Sequence, residues 1–124
     1  MSLENLQTKN IFLLKLKNLE NLKLFNCDII LLDENIGLNM KKLILSKCSL
    51  EKPKNPLKLP ELVSLVLISL QDQKSYHIID YSSMKKLKNA QIDSKESLFL
   101  SNSPLEFIRL NPFKENSYDS YNLE

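Results

Sequence analysis

Leu19-Glu-Asn-Leu22-Lys-Leu24-Phe-Asn-Cys27 and Met40-Lys-Lys-Leu43-Ile-Leu45-Ser-Lys-Cys48 are two copies of one pattern. Each has an apolar opener, a leucine three positions on, a second leucine two further and a cysteine after that. Ile29 and Leu50 extend both copies by one more apolar position. Working outward, three looser copies follow. Leu62-Val-Ser-Leu65-Val-Leu67-Ile-Ser-Leu70 is the third. Met84-Lys-Lys-Leu87-Lys-Asn89-Ala-Gln-Ile92 and Leu105-Glu-Phe-Ile108-Arg-Leu110-Asn-Pro-Phe113 are the fourth and fifth. The openers Leu19, Met40, Leu62, Met84 and Leu105 recur at a near-constant step. A step in the range of roughly 20–50 residues marks a repeat architecture, in which each unit is one supersecondary element that buries its apolar side against its neighbours.

Within each copy the alternation Leu22-x-Leu24 and Leu43-x-Leu45 has the period of two that belongs to a strand. Successive copies then stack as parallel strands about 4.8 Å apart. About a dozen residues remain for each return. Pro53, Pro56 and Pro60 interrupt one return, and turn-forming residues fill those at 72–83 and 94–104. A proline inside a helix costs ~3 kcal/mol. The returns are therefore expected to hold extended segments and short 3₁₀ turns, with one helical turn allowed in 28–39.

The five blocks resemble the leucine-rich repeat, L-x-x-L-x-L-x-x-N/C-x-L, over residues 16–113. The first two match it well. In the fourth, Asn89 stands where the family has leucine, and Leu70, Ile92 and Phe113 replace the Asn or Cys. The resemblance implies an α/β right-handed solenoid, with a curved parallel β-sheet on the concave side and loops and short 3₁₀ turns on the convex side. Residues 19–113 would form five repeats. Residues 1–18 read as an N-terminal cap or a degenerate repeat, since Leu3-x-x-Leu6 falls less than a full period before Leu19. Residues 114–124 read as a polar C-terminal tail. The tail is a poor cap: either the aromatics Phe113, Tyr118 and Tyr121 fold back over the last strand, or the chain is a segment of a longer array, the second reading being favoured.

The chain has 124 residues, one domain's worth, and about a fifth are leucine. Its net charge of +2 excludes a polyanion binder by bulk charge. The basic residues are 16 Lys and one Arg, whereas phosphate readers lean on the bidentate fork of Arg. No run reaches the ~18 apolar residues of a membrane span, and Ile11 to Leu14 is too short for a secretory core. These features read as a cytoplasmic protein, with the nucleus also open.

Chemistry-bearing residues are few. Cys27 and Cys48 share one repeat position and are expected to be stacked, buried and reduced, their side chains serving backbone groups after the strand. Structural zinc needs four ligands, and only His77 could join them. His77, the sole histidine, and Asp72, Asp80 and Asp93 read as surface or turn residues. Gly37 is the only glycine, which excludes a glycine-rich phosphate loop. No metal, cofactor or catalytic group is expected.

The positions between the inward leucines carry the functional reading. Three per block would line the concave face: Asn21, Lys23, Phe25; Lys42, Ile44, Ser46; Ser64, Val66, Ile68; Lys86, Lys88, Ala90; Phe107, Arg109, Asn111. This set has five basic residues and no acid, where composition predicts about two acids. Phe25, Ile44, Val66 and Ile68 form its apolar centre. Repulsion between Lys88 and Arg109, about 5 Å apart, would be only ~0.8 kcal/mol in water, so like charge alone does not demand an anionic partner. An apolar patch rimmed by charge is nonetheless a partner-binding feature. The expectation is a non-catalytic protein-interaction scaffold that takes an acidic, partly apolar segment through Lys23, Phe25, Lys42, Ile44, Val66, Ile68, Lys88 and Arg109. Two alternatives remain. One is the recognition segment of a larger enzyme or signalling protein. The other, weaker, is a nucleic-acid binder using Lys23, Lys42, Lys86, Lys88 and Arg109.

Overall fold

A computed structural model describes residues 1–7, 12–16, 18–93 and 119–122, with 12–14, 73 and 119–122 described as backbone. In chain order the strands are β1 (Ser2–Glu4), β2 (Phe12–Leu14), β3 (Asn21–Phe25), β4 (Ile30–Leu32), β5 (Lys42–Ser46), β6 (Leu50–Glu51), β7 (Leu57–Lys58), β8 (Ser64–Ile68), β9 (Ile79–Asp80), β10 (Asn89–Ile92) and β11 (Asp119–Asn122). They wind into a solenoid whose turns match the period of the sequence blocks. The principal sheet has the order β1-β3-β5-β8-β10-β11. All its neighbours are parallel except β10 and β11, which are antiparallel.

The leucines decide which way each strand faces. β3 and β5 share one burial pattern, exposed-buried-partial-buried-partial, and β8 repeats its alternation. Leu22, Leu24, Leu43, Leu45, Leu65 and Leu67 are all at 0% exposure. The register pairs them like for like, Leu22 with Leu43 with Leu65 and Leu24 with Leu45 with Leu67. A one-residue slip would turn every one of these side chains to solvent.

The returns differ from the α/β expectation. Among the described residues there is no α-helix, and the helical content is two 3₁₀ segments, Gln73–Ile78 and Tyr81–Ser83. The 3₁₀ segments lie in the return at 72–83, and extended stretches of the returns, with β2 of the N-terminal segment, pair into two further parallel sheets, β2-β4-β6 and β7-β9. Their sequences explain it. Ile30-Leu31-Leu32 alternates buried and partly exposed side chains, and Leu50-Glu51 and Leu57-Lys58 each set one buried residue beside an exposed one. The return at 28–39 thus holds β4 and a run of turns over 34–39 instead of a helical turn.

Three registers depart from the sequence alignment. Ile30, not Ile29, pairs with Leu50 and is the buried residue, while Ile29 takes a left-handed conformation at φ 53°. Leu3 pairs with Leu24, one full period on, and Leu6 lies where Cys27 lies one coil later, its carbonyl accepting from the Asp28 amide at 2.9 Å. The N-terminal segment therefore supplies a coil of the same period, with Leu3 in the place of Leu24 and not of an opener. In the fourth block Ala90 pairs with Leu65 and Ile92 with Leu67, a longer step than the one from Leu43 to Leu65. The alignment of Leu87 and Asn89 with Leu65 and Leu67 is thus shifted by three. The physical reason is Asn89. In the expected register its amide would be buried, at a cost of roughly 1–3 kcal/mol unless hydrogen-bonded. In the observed one it is exposed and Ala90 and Ile92 face inward. The added length lies in the return that carries both 3₁₀ segments.

That return is held by side chains. Asp72 caps the first segment, accepting from the Ser75 amide at 2.9 Å, and Asp80 caps the second, accepting from the Ser82 amide at 3.1 Å. Ser75, fully buried, accepts from the Leu50 amide at 3.0 Å, and Ser83 accepts from the Leu59 amide at 2.9 Å. Both bonds tie this return to the preceding coil.

The coils of β1, β3, β5 and β8 turn at the end of the principal strand through a left-handed residue, Asn5, Asn26, Lys47 and Ser69, with φ of 52–56°. Asn accepts this conformation readily, and Lys and Ser less so. Asn26 also donates to the Asn5 side chain at 2.9 Å, joining two corners. Gly37 has a different task. A Cβ there would lie 2.4 Å from Leu59 Cδ2 and 2.7 Å from the Lys58 carbonyl oxygen, so its hydrogen lets the turn pack on the next coil.

In urea denaturation, Gly37→Ala is expected to lose about 1–3 kcal/mol by overpacking. Leu43→Ala and Leu65→Ala each lose ~2–5 kcal/mol. Lys47→Asn is expected to raise the midpoint, by a fraction of the roughly 1–2 kcal/mol that a left-handed residue costs.

Candidate functional site

The outer face of the principal sheet presents the residues that alternate with the buried leucines. Register places them in three rows across the strands. The first row is Asn21, Lys42, Ser64 and Asn89; the second is Ser2, Lys23, Ile44, Val66 and Gln91; the third is Glu4, Phe25, Ser46 and Ile68. Lys23, Phe25, Ile44, Val66 and Ile68 are partly exposed and Lys42 is exposed. Ile44 and Val66 are direct cross-strand partners, Phe25 is diagonal to Ile44, and Ile68 lies two residues beyond Val66 on the same strand. These four apolar side chains therefore form one continuous track, an arc around Ser46, held from behind by leucines that solvent does not reach.

Six of the eight residues expected at a binding face thus come together. The shift of the fourth coil removes Lys88. It precedes β10, and its amide donates to the Val63 carbonyl at 2.9 Å. Lys86 is removed from the set as well, since its ammonium pairs with Glu61 at 2.6 Å. Asn89 and Gln91 take the vacated row positions. Arg109, with Phe107 and Asn111, lies outside the described residues. Ser2 and Glu4 join the face from β1, which the alignment of block openers did not find. The signal was present in the spacing from Leu3 to Leu24, which equals that from Leu22 to Leu43.

These changes concentrate the positive charge. On the described outer face it rests on Lys23 and Lys42, beside a shallow depression of about 450 Å³ lined also by Met1, Ser2 and Asn21. The acid Glu4 lies at the opposite end of β1, next to Phe25. The pair Glu20 and Lys41, 3.4 Å apart and both well exposed, flanks the strand starts. Such pairs contribute little to stability.

Behind the sheet, polar groups serve the coil. Cys48 Sγ lies 3.3 Å from the Leu24 carbonyl oxygen and 3.2 Å from that of Ser46, and Cys27 Sγ lies 3.3 Å from the Phe25 carbonyl oxygen. Both thiols are free and buried. Burial pushes the Cys48 thiol up from its ordinary value, and backbone hydrogen bonds with Cys27 and Ser46 offset part of the rise. The Tyr76 hydroxyl accepts from the Leu70 amide at 3.3 Å and donates to Asp93, which also accepts from the Ser69 amide at 2.8 Å. The Tyr81 hydroxyl donates to the Tyr76 carbonyl. Burial raises both phenols well above the ordinary tyrosine range, and Asp93 adds to the rise at Tyr76. His77 is exposed in the last turn of its 3₁₀ segment.

Among the described residues no group of three His, Cys, Asp or Glu is placed to hold a metal ion, and no helix is long and apolar enough to cross a membrane. Comparison with protein-family models, with curated proteins and with solved structures finds no match for this chain.

The raised phenols predict an alkaline limit. A group whose pKa is higher in the folded state stabilises the fold below its unfolded pKa, ~10 for tyrosine. That contribution is lost as pH climbs through the folded value. Absorbance at 295 nm is expected to show Tyr76 and Tyr81 resisting ionisation until the chain unfolds, and Tyr76→Phe to cost about 1–3 kcal/mol by leaving the Leu70 amide without its partner.

Proposed function

We propose that the chain is a non-catalytic protein-interaction module that docks a partner on the outer face of its principal sheet. The observation that carries this reading is the track Phe25, Ile44, Val66 and Ile68. Its members are partly exposed, contiguous by register and mounted on strands whose inner leucines are fully buried. Exposed apolar surface rimmed by charge favours partner burial. A stack of hydrogen-bonded strands also presents it without the ordering cost that a loop would incur on binding.

The finer class proposed is the leucine-rich repeat, with the principal sheet on the concave side. Its support is the block pattern at 19–27 and 40–48, the short period of the coil and the cysteines placed against backbone carbonyls. Lys23 and Lys42 bias the partner toward an acidic segment. A cytoplasmic setting suits the two reduced, buried thiols.

Ile44→Asp and Val66→Asp test the reading. Both side chains point away from the core, so circular dichroism and the urea midpoint are expected to change little. Capture of partner proteins from the source cell is expected to fall by at least tenfold. Wild-type capture by either variant would sink the proposal.

A further inference from the structure

The outer face is polar in the electrical sense, and this polarity specifies how a bound segment lies. Lys23 and Lys42 are diagonal neighbours on adjacent strands, since Lys23 pairs with Ile44 and Lys42 with Asn21. Among the described residues neither has an acid within 4 Å, although Lys41 and Lys86 each do. Both lysines border the depression that Ser2 and Asn21 also line. From that corner the apolar track leads away, through Ile44 and Val66 to Ile68 at the far end of β8. Glu4 pairs with Phe25 and so lies diagonal to Lys23, one row farther from the depression than Lys23 and two rows farther than Lys42.

Resting on the docking reading above, we infer that the depression beside Lys23 and Lys42 is a carboxylate subsite. Its occupant is the acidic end of an extended peptide segment whose apolar side chains continue along Ile44, Val66 and Ile68. Three strand spacings separate β1 from β8, roughly 14 Å, and four residues along a strand add about 13 Å. The diagonal of ~20 Å matches about six extended residues at ~3.3 Å each. The segment is therefore short, with one or two Asp or Glu at one end and two or three aliphatic or aromatic residues at the other. A peptide carboxylate is favoured over a phosphate because the apolar track begins where the cationic corner ends, and because the corner offers lysine point charges, not the arginine fork that grips phosphate.

The test uses the full chain, isotope-labelled, with three hexapeptides followed by NMR. These are Asp-Glu-Ser-Leu-Val-Phe, its neutral counterpart Asn-Gln-Ser-Leu-Val-Phe and its charge-reversed counterpart Lys-Lys-Ser-Leu-Val-Phe. The acidic peptide is expected to bind at least fivefold more tightly than the neutral one in 50 mM salt, with the preference shrinking at 500 mM as screening sets in. A spin label on its acidic end is expected to broaden the amides of Ser2, Lys23 and Lys42 and to spare those of Val66 and Ile68. Lys23→Ala with Lys42→Ala is expected to abolish the preference for the acidic over the neutral peptide. Equal binding of acidic and neutral peptides, or broadening centred on Val66 and Ile68, overturns the carboxylate subsite while leaving the docking face standing. If none of the three perturbs the outer face, both readings fail.

Discussion

Everything in this molecule depends on the in-register parallel pairing of β3, β5 and β8. Each strand is only five residues long, and a strand of that length has no stability by itself. Stacked in one register, the three put six leucines into a single dry column and satisfy each other's backbone groups. The corners, the returns and the outer face take their positions from that column. Stability in such a stack is a sum of nearest-neighbour interfaces, so the molecule is strongest where consecutive coils match.

The matching is maintained by local devices, each set by what its coil has available. Asn5 and Asn26 turn two corners and bond to each other, whereas Lys47 and Ser69 turn the next two without that bond. Cysteine Sγ atoms lie against carbonyls after β3 and β5. After β8 the same region is served by Tyr76 and Asp93, supplied by the longer fourth coil. The lengthening is thus coupled to a change in how the corner is held. At the far edge, β11 runs antiparallel to β10 and covers the backbone groups that an open edge would present.

The outer face follows from the same geometry. A strand that commits alternate residues to the core leaves the others for solvent, and the stack converts these into rows. Phe25, Ile44, Val66 and Ile68 become one track only because β3, β5 and β8 are in register. The two lysines become a corner for the same reason. This is also why the electrical character of the face differs from that of the aligned sequence. Moving the register of the fourth coil exchanges Lys86, Lys88 and Ala90 for Asn89 and Gln91, and β1 brings in Glu4.

The solenoid, its period and the inward leucines of β3, β5 and β8 were legible in the chain, because leucines two apart at 22/24, 43/45 and 65/67 recur at one period and face one side of a strand. The six face residues from Lys23 to Ile68 were legible with them. The first and fourth coils were not. Leu3 of Leu3-x-x-Leu6 takes the place of Leu24, not of an opener, and Met84-Lys-Lys-Leu87 imitates Met40-Lys-Lys-Leu43 closely enough to hide an offset of three. Extended returns were legible, but their pairing into second sheets was not, because each stretch is too short to stand out as a strand. The sequence by itself determined which residues want to be dry and how often they recur. The tertiary structure alone decided which copies lie side by side, because register is chosen by the cost of burying a whole coil, Asn89 included, and not by the likeness of two short motifs.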